Sequence, residues 1–170
     1  FGIVSLEDPS MPVSAKVKAF NPFIPGDPDA SGLPVAVIRY EIKNKTDKPL
    51  TIAVAGTMDN FVGMDGSNFY LSDFNKSIVM LGAKNNRNTF RNENNLAGIF
   101  MTSDSVDKNH DTWGTIALTT QADNATISYR TELSPKGWNT NITDMWDDFT
   151  DDGMFKDITY QEKTNSPRAG

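Results

Sequence analysis

Apolar and polar residues alternate with a period of two along much of the chain, the spacing that sends successive side chains to opposite faces of an extended strand. Val13, Ala15, Val17 and Ala19 fall on one side while Ser14, Lys16 and Lys18 fall on the other. Ala36, Ile38, Tyr40 and Ile42 alternate with Val37, Arg39, Glu41 and Lys43 in the same way, which predicts a strand with one wet face. The run Leu50 to Met58 follows after the turn formers Asn44 to Pro49, so an antiparallel hairpin is expected there. A second hairpin is expected from Thr112 to Gln121, a turn at Ala122 to Asn124, and Ile127, Tyr129 and Leu133. Shorter apolar runs at Ser77 to Leu81 and Ala97 to Thr102 add strands, whereas Lys84 to Asn95 and Ser103 to Asp111 read as solvated polar loops.

One segment changes period. Asn141 to Gly153 offers a capping oxygen, early acids, apolar residues three or four apart and a closing glycine, which predicts a short helix. Short strands at this spacing with no crossover helix point to a sandwich or barrel rather than a βαβ fold.

At 170 residues the chain is sized for one domain. Sixteen Lys plus Arg against 22 Asp plus Glu give a net charge of -6, which repels a phosphate backbone, so nucleic acid is not expected as a partner. With no Cys, thiol chemistry and nearly all structural zinc sites are excluded, and a single histidine, His110, leaves no multi-histidine metal centre. Neither metal nor cofactor is expected. No apolar run approaches the ~18 residues that span a bilayer, so no transmembrane segment is expected. The compartment stays open between cytoplasmic and secreted or periplasmic. The start at Phe1 and the polar tail Thr164 to Gly170 both read as cuts within a longer chain.

Carboxylates are the plentiful acid-base groups. The cluster Asp144, Asp147, Asp148, Asp151 and Asp152 lacks the spacing of a calcium loop and is expected to be a solvated helix face. Asp65-Gly66 reads as a tight turn, and His110 as an exposed loop residue. Trp113 and Trp146 are expected to be buried in regular elements, while Trp138, in a turn, is the candidate for contact with a sugar ring. Sequons occur at Asn44, Asn75, Asn124 and Asn141, and no localisation follows from them. The most distinctive stretch is Phe20 to Pro34, where four prolines fix an extended path and hold Phe23 and Ile24 at set positions. Either these residues seal the local core, or Asn21, Pro22, Phe23, Ile24 and Pro25 form a preordered surface for another domain.

That stretch also carries a resemblance. Phe20 to Pro25, Asp29, Ser31, Leu33-Pro34-Val35-Ala36-Val37 and Ile42 to Asp47 are similar to the N-terminal domain of glycoside hydrolase family 116. Trp146 to Gly153 resembles that family's W-x-x-[FL]-x-x-x-G stretch, and Asn95 to Met101 the strand before it. The family includes non-lysosomal glucosylceramidases and bacterial β-glucosidases. The resemblance implies an all-β fold, an antiparallel β-sandwich with one short α-helix near 142–152. It implies a parent in which a separate (α/α)6 barrel holds a retaining β-glucosidase site with a Glu nucleophile and an Asp acid/base. Neither catalytic residue can be placed on this sequence, so no catalytic site is expected in it.

The expected function is therefore a non-catalytic sandwich that supports and docks a catalytic (α/α)6 domain. A free-standing carbohydrate- or protein-binding module is the alternative, and an enzyme acting through a carboxylate pair is the weakest reading. The family domain extends past both ends of this chain, so an exposed strand edge and a homodimer paired along it are also expected.

Overall fold

In the computed structural model, residues 1–67, 69–72, 76, 78–121, 124–134, 140–158 and 168–169 are described. They form two compact units, Phe1–Ile52 and Ala53–Gly170.

The first unit is built from the alternating segments. Strands β1 (Gly2–Glu7), β2 (Val13–Phe20) and β3 (Val37–Asn44) form an antiparallel sheet in the order β1-β2-β3, with a four-residue helix, α1 (Pro28–Ser31), between β2 and β3. The turn into β2 is fixed by Asp8, whose carboxylate accepts from the Ser10 amide at 2.8 Å and hydroxyl at 2.7 Å. Register places Val4 opposite Val17 and Val17 opposite Tyr40, and Leu6 opposite Ala15 and Ala15 opposite Ile42, so the period-two pattern becomes one apolar face. Lys16 and Lys18 lie on the other face with Arg39 and Glu41, and Lys18 pairs with Glu41.

Two differences from the sequence expectation appear here. The partner of β3 is β2, not the run Leu50 to Met58, of which only Met58 joins a strand. Besides the expected helix there is a second one, α1, nucleated by the Asp27 cap and Pro28 at its first position.

The second unit holds β4 (Met58–Asp59), β5 (Phe69–Leu71), β6 (Ile78–Met80), β7 (Asn86–Glu93), β8 (Leu96–Ser103), β9 (Ile116–Thr120), α2 (Thr140–Asp152) and β10 (Arg168–Ala169). Its main sheet is antiparallel in the order β7-β8-β9. The β7–β8 connection is Asn94-Asn95, both with positive φ (52° and 64°), as a two-residue primed hairpin turn requires. Ile99 and Met101, on one face of β8, are the centre of the core, packed by Met58, Phe90, Ile116, Leu118 and Tyr129. Phe90 and Tyr129 stack with ring centroids 3.9 Å apart.

Strand β7 was expected to be loop. Its inward positions Asn86 and Asn88 are polar, and both hydrogen-bond to Asn60, which is fully buried. The Asn60 amide donates to Arg87 O (3.2 Å), Asn88 Oδ1 (2.9 Å) and Thr102 O (3.0 Å), and Asn86 donates back to Asn60 O (3.0 Å). Ile127 to Leu133 contributes side chains to the interior but no described strand, so the second expected hairpin is not formed.

The described residues are thus mostly β, with two antiparallel three-stranded sheets and one long helix among them, consistent with a β-sandwich. Among the described residues no helix is long and apolar enough to cross a membrane.

Candidate docking site

The proline-rich segment of the first unit folds into a small hydrogen-bonded knot. Pro25-Gly26 are the central pair of a turn closed by Asp27 N donating to Ile24 O at 3.0 Å, and Gly26 takes the positive φ of 85° that this pair is suited to. Asp27 then caps α1 by accepting from Ala30 N at 2.9 Å. Ser31, at the far end of that helix, turns back on Ile24. Its hydroxyl accepts from Ile24 N at 2.9 Å and donates to Ile24 O at 3.0 Å. Sequence spacing alone did not reveal this clamp, although the pairing of a turn-forming Pro-Gly with a cap-forming Asp is its local signal.

On this knot Phe23 is 70% exposed and Ile24 53% exposed, so neither seals a core within the chain. Asn21 and Pro25 are exposed beside them and Pro22 is half-buried. The knot thus combines internal polar bonds with exposed apolar side chains. Trp138, the candidate sugar contact, lies outside the described residues.

In the second unit the acidic cluster is organised around a buried base. Arg130 reaches Asp148 at 2.6 Å and Asp144 at 2.8 Å. Lys156 adds its backbone N–H at 2.9 Å and its ammonium at 3.2 Å to Asp148. Burial pushes the Asp148 carboxyl upward, but the Lys156 backbone and side-chain bonds and then Arg130 outweigh it and leave its pKa below the ordinary carboxylate value. The acids do not fall in the first turn of α2, so they are not placed there by the helix dipole, as the sequence had implied. Part of the cluster is a structural ion pair rather than a solvated face.

Trp113 and Trp146, expected to be buried, are 47% and 59% exposed. The buried side of α2 is instead marked by Met145 and Asp148, which turns Trp146 outward. The Asp65 turn is present as expected, its carboxylate accepting from Ser67 N at 2.8 Å. His110 sits in an exposed loop with Nδ1 2.8 Å from the Thr112 hydroxyl. Among the described residues no group of three or more His, Cys, Asp or Glu is arranged to hold a metal ion.

The chain is β-rich, with Phe23 and Ile24 exposed on a hydrogen-bonded loop and Arg130 and Asp148 paired in its interior. The family model for beta-glucosidase 2, glycosyl-hydrolase family 116 N-term, matches residues 1–169, and the chain belongs to that family as its N-terminal domain. Comparison with curated proteins returned no match. Family membership implies a catalytic domain as partner.

Proposed function

We propose that this chain is a non-catalytic N-terminal domain that supports and docks the catalytic (α/α)6 domain of a β-glucosidase or glucosylceramidase-like hydrolase, with Asn21 to Pro25 as its contact. The observation that carries the reading is Phe23, 70% exposed on a loop held by its own hydrogen bonds. A large exposed aromatic on a rigid support has the properties of an interface anchor, since little ordering entropy is lost when it is covered. Its mechanistic value lies in positioning. Catalytic groups displaced by about 1 Å lose rate steeply, and a fixed neighbouring domain restrains the loops that carry them.

Phe23→Ala in the full-length hydrolase tests this. Domain association or melting is expected to weaken while affinity for the sugar stays the same, and unchanged melting with lost substrate binding would refute the reading. Titration of the chain with β-glucosides is expected to show no heat of binding.

Homodimer formation along an outer strand is a separate part of the proposal, supported by the position of β1 and β3 at the two edges of the first sheet. Sedimentation equilibrium that gives a monomer at all concentrations removes it.

A further inference from the structure

Helix α2 presents an organised outer surface that the docking loop does not account for. Ile142 and Trp146, one turn apart, are 41% and 59% exposed and form an apolar row. Thr143, Asp147 and Asp151 form the next row on the same exposed side. The helix carries five aspartates and no Lys or Arg, and Lys156, beyond its end, bonds Asp148 at 3.2 Å and lies 3.8 Å from Asp151.

The exposure of Trp146 is not that of a frayed end. Its ring leans on Phe149 at 6.4 Å, and Phe149 leans on Phe155 at 5.5 Å. The opposite side of the helix is tied down through Asp148 to Arg130 and Lys156. A held Trp beside a Leu- or Ile-type side chain is the composition of an interface anchor. The acid row beside it says what chemistry the occupant brings. An apolar partner lined by carboxylates would be repelled, whereas Lys or Arg next to its apolar row would complete the charge. Rows four residues apart on α2 are ridges into which the matching rows of another helix pack at 8–10 Å spacing.

From this geometry we infer that the Ile142–Trp146 face of α2 is a docking surface for a basic amphipathic helix, one whose apolar row lies on Ile142 and Trp146 and whose adjacent Lys or Arg row lies on Asp147 and Asp151. The surface is in the second unit and is independent of the Asn21 to Pro25 reading.

The probe is an 18-residue helical peptide of Leu and Lys with the Lys confined to the row beside the Leu row, titrated calorimetrically into the 170-residue chain. A Leu/Glu peptide of the same spacing is the control. The basic peptide is expected to bind, more weakly at high salt, and the acidic peptide is expected not to. Trp146→Gln should lower affinity about tenfold or more, and Asp147→Asn/Asp151→Asn should lower it and remove most of the salt dependence, with unchanged circular dichroism. If Trp146→Gln does not fold, the aspartate variant decides. No binding of the basic peptide, equal binding of the acidic one, or binding indifferent to these substitutions in folded protein overturns the inference.

Discussion

The Arg130 guanidinium donates to the Asp148 carboxylate at 2.6 Å with the two side chains only 1% and 7% exposed. A pair this far from water owes its favourable balance to completeness, because each ion alone would carry a desolvation penalty of several kcal/mol. Asp148→Ala removes one acceptor of Arg130 and the side-chain acceptor of the Lys156 amide together. The expected loss is about 3–5 kcal/mol, nearer the lower end because Asp144 still accepts from Arg130. Urea unfolding monitored by circular dichroism measures it. The double variant Arg130→Met/Asp148→Leu is expected to lose less than Asp148→Ala alone, and a larger loss would show that the pair is more than mutually compensating.

The same pair sets an acid limit. Asp148 titrates below the ordinary aspartate value of 3.8 in the folded chain, where burial is outweighed by its bonds to Lys156 and Arg130. The unfolded chain therefore takes up a proton at higher pH than the folded one. Its stabilisation is complete above that ordinary value and is lost as pH falls through the folded value below it. Asp8 and Asp65, held low by bonds to Ser10 and Ser67, act in the same direction from the surface. Melting temperature is expected to drop below about pH 4, and Asp148→Asn is expected to flatten that limb while lowering stability at neutral pH. An acid limb of equal steepness in the variant would assign the effect to other groups.

The sequence made the strongly amphiphilic elements legible and the polar-cored ones obscure. β2 and β3 alternate, β8 falls on a short apolar run, and all three are strands. β7 also alternates, but its inward residues begin with Asn86 and Asn88, so hydrophobicity carries no signal until Phe90. What makes those asparagines interior is Asn60, distant in the chain and unpredictable from local pattern. The run Ile127 to Leu133 shows the converse, since Tyr129 stacks on Phe90 as an inward residue should, yet no described strand ladder forms. Period reports which way a side chain faces, not whether the backbone finds a partner. On α2 the apolar spacing found the helix, but the inward residue is Asp148, paired with Arg130, while Trp146 faces solvent. The stiff loop at Asn21 to Pro25 was legible from its prolines, whereas the Ser31 clamp beneath it was not.

Asn60 is the hub of the amide network that replaces an apolar contact between β4 and β7. Its Nδ2 serves the carbonyls of Arg87 and Thr102, and its Oδ1 accepts from Val62 N at 3.2 Å. Asn60→Ala leaves these groups buried with fewer partners, which is expected to cost about 1–3 kcal/mol or more. Asn60→Leu should be no better, since an apolar replacement cannot satisfy backbone groups. Denaturant midpoints for the two variants check this, and a Leu variant as stable as the parent would mean that water satisfies the site.

Gly98 of β8 lies opposite Thr119 of β9. A methyl group there would meet the Leu118 carbonyl and lie 2.7 Å from Thr119 Cα, both parts of backbone that cannot rotate away. Gly98→Ala is therefore expected to destabilise by about 1–3 kcal/mol, the usual range for overpacking, through separation of β9 from the core. Amide exchange should accelerate across Ile116 to Thr120 in particular. Uniform acceleration over the whole chain would indicate loss of global stability without local separation.

Phe23 distinguishes an interface residue from a core residue by where its removal is felt. In this chain alone the ring is 70% exposed, so Phe23→Ala is expected to change stability by within about 0.5 kcal/mol. Under the docking proposal, the same substitution in the full-length hydrolase is expected to cost about 2 kcal/mol or more, as truncation of an aromatic hot spot does. Ser31→Ala provides the complementary test, since it keeps Phe23 but removes both bonds that hold Ile24. It should weaken domain association less than Phe23→Ala does, by restoring the entropy that the clamp had already removed. Paired melting curves of the chain and of the full-length protein read the difference. A large effect in the isolated chain would place Phe23 in the fold of this domain, and no effect in either would remove the loop from the interface.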